Sequence, residues 1–168
     1  MTFGSMQLAH AASDVSAADL QAATRAIGFL QNLPHDGSIV IGIVYATQSE
    51  ASKALATQIA ATLASLPGPN KSVIRTKLVS IDSLAQTTER LDALFLVPGI
   101  SSEGSAIGDA IRRRRIISIS NDPSCLDSNC CVLMVRAKPD VEIVLNTVVA
   151  DAVGANFSTV FAMIVKRR

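Results

Sequence analysis

Aromatic side chains are scarce in this 168-residue chain, which carries five phenylalanines, one tyrosine and no tryptophan. Few flat surfaces are therefore on offer for a flavin or an exposed base, and recognition by stacking is not expected. The two histidines, His10 and His35, lie in the N-terminal stretch and in a turn, away from any cysteine or carboxylate spacing that would complete a zinc set, so no metal is expected. No apolar run approaches the roughly 18 to 20 residues needed to cross a bilayer, and no membrane span is expected. Charged residues make up only 17% of the chain, with a formal net charge of +1, which gives no general attraction to nucleic acid. Also missing are a G-x-S-x-G elbow, a G-x-x-x-x-G-K-[ST] loop and a G-x-G-x-x-G fingerprint after any expected strand. No catalytic residues and no cofactor are assigned.

The hydrophobic fraction is 49%, enough at this length to bury one full core, so a single domain over residues 17–168 is expected after a tail of residues 1–16. In that tail Gly4-Ser5-Met6 reads as a cloning junction. Ala9-His10-Ala11 has the small-x-small form of a signal-peptidase site, without the basic and apolar regions that should precede it, and a trimmed secretory signal competes with a plain Ala-rich tail.

The segment the chain is organised around is Ser38 to Ala46, a β-branched apolar run with no alternation. Such a run reads as a central parallel strand covered on both faces, which requires helices above and below and parallel neighbours beside it. Before it, Ser16 caps a helix to about Leu33 with Leu20, Ala23, Ile27 and Leu30 on one face. After it, residues 49–66 form a helix with Ala54, Leu55, Ile59, Leu63 and Leu66 as its buried stripe. Residues 71–79 alternate and belong at a sheet edge. A short helix from Ser80 precedes a second covered strand at 91–97, a helix capped by Ser101 or Ser102 runs through Arg114, and another strand covers 116–120.

From Asn121 to Ser128 the connection is too short for a conventional crossover helix, so the strand at 130–136 is expected antiparallel to its predecessor. It then makes a hairpin with 141–145 through Lys138-Pro139-Asp140. Two closing helices follow, 146–153 and 158–165, the second with Val160, Phe161 and Ile164 facing inward. The expected fold is thus a three-layer α/β domain with a mostly parallel sheet and an antiparallel C-terminal hairpin at one flank.

Two loops follow covered strands and would line one crevice: Thr47, Gln48 and Ser49 on one side, Gly99, Ser101 and Ser102 on the other. Ligands gather at such places in open α/β sheets, and a helix N-terminus offers free amides to an anion. The first loop is faintly like a flavodoxin phosphate loop but lacks the glycine that lets backbone approach a phosphate, and plain connecting turns are the simpler reading. The run Arg112-Arg113-Arg114-Arg115 is read as a solvated helix end that opposes the negative pole of the dipole. Among the cysteines, Cys125 lies in a loop while Cys130 and Cys131 point to opposite faces of the next strand, so one of those two can close a small ring with Cys125 in an oxidising compartment.

Three stretches together resemble the periplasmic YfiR/HmsC-like family of small α/β proteins: Leu20 to Pro34, Ile116-Ile117-Ser118-Ile119-Ser120-Asn121-Asp122 with the cysteines after it, and Val141-Glu142-Ile143-Val144-Leu145-Asn146 leading to Phe157-Ser158. Where that family often has an aromatic before the proline, this chain has Leu33. The resemblance implies a non-catalytic periplasmic regulator that binds and represses the sensor region of a membrane-bound diguanylate cyclase, controlling cyclic di-GMP and biofilm formation. A homodimer is also expected. The competing reading is a flavodoxin-like or small-ligand-binding domain. In the oxidised protein Cys125 is expected to pair with Cys131, Cys130 being the alternative. The partner surface is expected near the cystine loop, at Leu126, Val132 and Met134.

Overall fold

The computed structural model describes residues 14–34 and 36–168; both histidines, the Gly4-Ser5-Met6 junction and the candidate signal site lie outside the described residues. The elements run α1 (Ala17–Ile27), β1 (Ser38–Tyr45), α2 (Glu50–Ser65), β2 (Val73–Ser80), α3 (Ile81–Leu84), β3 (Ala93–Leu96), α4 (Gly104–Arg114), β4 (Ile117–Ser120), α5 (Ser124–Asp127), β5 (Leu133–Arg136), β6 (Glu142–Leu145), α6 (Thr147–Val153), α7 (Thr159–Ile164) and β7 (Lys166–Arg167). The seven strands form one sheet in the order β2-β1-β3-β4-β5-β6-β7, parallel except between β5 and β6. Helix α1 packs with α2 and α4 packs with α3 and α6, the two groups covering opposite faces as right-handed crossovers around β1 require.

β1 is buried along six consecutive residues, as its unbroken apolar run requires. Gly42 sits where a Cβ would come within 2.9 to 3.3 Å of Leu94, Leu91 and Val79, so only glycine fits between these neighbours without displacing them. Among the strands β2 pairs with β1 only and is the sheet edge, as expected, with a single further bridge from Val73 to Pro67. Its alternation fails at one place: Leu78, on the same side of the pattern as the buried Ile74, is exposed, and Val79 turns in toward the space above Gly42.

Helix α1 begins with a reciprocal cap in which Ser16 Oγ accepts the Asp19 N–H and the Asp19 carboxylate accepts the Ser16 N–H. It stops at Ile27, earlier than its apolar spacing suggests, because Gly28 ends the helix and residues 29–31 bond instead to the 156–158 segment. In α2 the buried stripe is Ala56, Ile59 and Leu63; Leu55 and Leu66 are half-buried and Ala54 faces solvent.

Three expectations for the C-terminal third are overturned. β5 runs parallel to β4, with Ile119 opposite Leu133 and Ser120 opposite Met134. The connection needs only the single turn of α5, and Val132 is drawn onto β4 by its N–H to the Ser118 carbonyl at 2.8 Å. The β5–β6 hairpin is antiparallel as expected, but it does not end the sheet, since β7 adds a further parallel strand beside β6. In α7 only Phe161 is buried, stacked on Phe29 and Phe157 with centroids 5.0 and 4.8 Å away. Val160 and Ile164, expected inward, face outward because the one-sided grip on Phe161 sets the rotation of this short helix.

Candidate binding surfaces

The strand order reverses at β1/β3, the switch point where open α/β sheets hold ligands outside the carboxyl ends of their strands. The loops of Thr47, Gln48 and Ser49 and of Gly99, Ser101 and Ser102 follow these two strands, as the sequence predicted. Several of their polar groups, however, are engaged with neighbouring segments of the chain. Ser52 Oγ accepts the Ala46 N–H at 3.0 Å, Ser49 Oγ accepts the Ser52 N–H at 3.1 Å, and Thr47 Oγ accepts the Asp82 N–H at 3.3 Å. Across the sheet, the Asp122 carboxylate accepts the Gly99 N–H at 2.9 Å and the Ser124 N–H at 3.0 Å. The Ser124 hydroxyl stands 2.7 Å from that carboxylate and 2.8 Å from Ser101 Oγ. Burial works to raise the Asp122 pKa, but the Ser124 hydroxyl, the two N–H donors and the charge of Arg136 outweigh it and hold the group below the ordinary carboxylate value.

Beside this chain of bonds, Asn121 Nδ2 donates to the Asp14 carbonyl and to Asp19, each at 3.3 Å, while its buried Oδ1 has no partner among the described residues. The sequence pattern singled out none of Asn121, Asp122, Ser124 and Asp19 as a binding residue. The available signal was Asn-Asp-Pro-Ser directly after a covered strand, a pattern whose short side chains bond backbone two residues on.

Cys125 and Cys131 form the disulfide, as expected, and Cys130 is a buried free thiol. Burial pushes the Cys130 pKa up. Leu126, Val132 and Met134, expected as a partner surface, are 6%, 0% and 3% exposed. Val132 and Met134 fail as a surface because β5 lies inside the sheet between β4 and β6, Leu126 because it is the buried side of α5, and the exposed flank is displaced to β7.

That flank carries apolar side chains in the open. Val160, Met163 and Ile164, spaced as one helical stripe, are 64%, 78% and 69% exposed, and Val141 beside β6 is 66% exposed. Val141 and Ile164 also line a hollow of about 330 Å³ with Ile143 at its floor and Arg136, Lys138 and Lys166 at its rim. Lys166 pairs with Glu142 at 2.9 Å, which holds that carboxylate below its ordinary range. In the Arg112–Arg115 run, Arg112, Arg113 and Arg115 are exposed at the end of α4, as the solvated helix end requires, but Arg114 is half-buried and donates to the Thr87 and Glu89 carbonyls of the loop after α3.

No family model matches the chain and no curated protein is similar to it in sequence. Solved structures do share its fold. A conserved domain protein from Vibrio cholerae superposes with a TM-score of 0.62 at 14% identity, covering 92% of this chain and 61% of its own. An ABC domain in complex with L-Trp from Streptococcus pneumonia gives 0.60 at 14% identity, with 89% and 60% covered. A ligand-free, open substrate-binding protein with adhesive properties from Clostridium difficile gives 0.53 at 13%, with 77% and 54% covered. The chain thus spans little more than half the length of these structures.

Proposed function

We propose that this domain is a non-catalytic binding protein that restrains a membrane-anchored diguanylate cyclase by holding its periplasmic sensor region, so that release raises cyclic di-GMP and favours biofilm formation. The observation that carries the reading is the outward apolar stripe of α7, Val160, Met163 and Ile164, three exposed apolar side chains on one face of a short helix. Soluble domains rarely leave such a stripe bare unless another molecule covers it. The resemblance of the sequence to YfiR/HmsC-like regulators supplies the kind of partner, and the Cys125–Cys131 bond is in keeping with an oxidising compartment. Homodimerisation belongs to the same reading and is checked by sedimentation of the purified domain.

The test is calorimetric titration of the domain with the periplasmic region of a membrane-anchored diguanylate cyclase from the same genome, together with cyclic di-GMP measurements in a deletion strain. Association in the micromolar range and a raised cyclic di-GMP level support the reading; no heat at high micromolar concentration and an unchanged level remove it.

A second reading, a small-ligand-binding domain, is favoured by the β1/β3 switch point and by solved neighbours described as bound to L-Trp or as binding substrates. The engagement of Thr47, Ser49, Gly99 and Ser101 in local hydrogen bonds weighs against it. Native mass spectrometry and absorbance of the purified protein decide it, since a retained small molecule would put this reading first.

A further inference from the structure

We infer that α7 and the β5–β6 turn form a single docking groove for a partner segment that presents apolar side chains flanked by carboxylates. The inference rests on the binding reading above and deepens it by naming where the partner sits and what chemistry it must carry. One wall is Ile164, where the outward stripe of α7 reaches the hollow. The other is the turn that carries Val141, and Ile143 lines the same 330 Å³ hollow.

The two walls are held in register independently of any partner. β7 pairs with β6, Lys166 bonds Glu142, and the Arg167 guanidinium donates to the Ala162 carbonyl at 2.8 and 3.2 Å. Phe161 fastens α7 from behind, so the stripe cannot roll inward without pulling this ring out of the core. The groove is therefore preformed, which lowers the ordering cost of binding.

Charge selects the occupant. Arg136, Lys138 and Lys166 line the hollow together with Asp140 and Glu142, and Glu142 is already paired with Lys166. The uncompensated charge is positive. A second copy of this chain docking by the same face would set cations against cations. A flat lipid surface would leave the hollow unfilled. An amphipathic partner segment with Asp or Glu beside its apolar residues satisfies both the stripe and the rim.

The experiment titrates the purified periplasmic region of a membrane-anchored diguanylate cyclase from the same genome into wild-type domain, into the double variant Met163→Ser/Ile164→Ser and into Lys138→Glu, each at low and high salt. All three sites are on the surface, and matching thermal melts confirm that the variants fold. The expected result is at least a tenfold loss for the double variant, a smaller loss for Lys138→Glu, and wild-type binding that weakens with salt while Lys138→Glu loses part of that dependence. If both variants bind like wild type, the groove is wrong and the regulator reading stands. If wild type itself does not bind, both fall together. Self-association by sedimentation, or binding to phosphatidylglycerol vesicles, that is lost in the double variant would assign the groove to a second copy or to lipid and overturn the proposal.

Discussion

The carboxylate of Asp19 accepts the backbone N–H of Ala137 at 2.8 Å across 118 residues of sequence. The same group takes the Ser16 N–H and Asn121 Nδ2, so one side chain caps α1 and pins it to the carboxyl ends of β4 and β5.

Replacing Asp19 with Ala is expected to cost about 1–3 kcal/mol, because the Ala137 N–H and Asn121 amide lose their acceptor in a partly buried place. Burial acts to raise this pKa, but the donors from Ser16, Ala137 and Asn121 bring the net value below 3.8. A carboxyl depressed in the folded state contributes stability above its unfolded value and loses it as pH falls through the folded value. Urea melts of wild type and variant should therefore differ at pH 7 and converge as the pH drops below about 4. A gap that stays constant down to pH 2 would contradict the assignment.

Breaking the Cys125–Cys131 bond opens a ring of sequence separation 6. By the loop-entropy relation this costs about 2 kcal/mol. Denaturation of oxidised and reduced protein measures it, and peptide mapping without reduction should recover Cys125 and Cys131 linked. Cys130, buried and with its pKa raised by burial, should resist thiol reagents in the folded protein and react once it is unfolded. Rapid labelling of Cys130 in the native state would show the site to be open.

Phe161→Ala is expected to lose about 3–5 kcal/mol, since the ring is fully buried between Phe29 and Phe157. Val160→Ala, one residue away and exposed, should stay within about 0.5 kcal/mol. Hydrogen exchange of the Phe161 variant should show early loss of protection at Val165 to Arg168, where β7 depends on the seating of α7. Equal costs at the two positions would mean that the rotation of α7 is misassigned.

Gly154 ends α6 at φ +71°, with the Arg115 guanidinium 2.8 Å from where a Cβ would stand. Gly154→Ala is expected to lower stability by about 1–2 kcal/mol from the left-handed backbone alone. Chemical denaturation is the check, and pairing the change with Arg115→Ala should recover only the part due to the clash. Full recovery would place the cost in the side chain instead of the backbone.

Much of this architecture was legible in local pattern. The β-branched run of β1, the alternation of β2, the Ser16 cap and the spacing of Cys125 from Cys131 each report a constraint that acts within a few residues, so the covered strand, the edge strand, the start of the first helix and the small ring follow from the chain alone. Other features needed the folded sheet. The direction of β5 depends on where β4 leaves room for a partner, and one turn of α5 proved enough to reach it. β7 is Lys166-Arg167, whose charged side chains carry no strand signal, and only β6 beside it makes it a strand. Periodicity gave α7 an apolar side, but both sides of that helix hold apolar residues, and which one turns inward is decided by the fit of Phe161 between Phe29 and Phe157. The exposed stripe that results is therefore a property of tertiary packing: a short helix has one buried anchor, and whatever stands opposite that anchor is left in solvent.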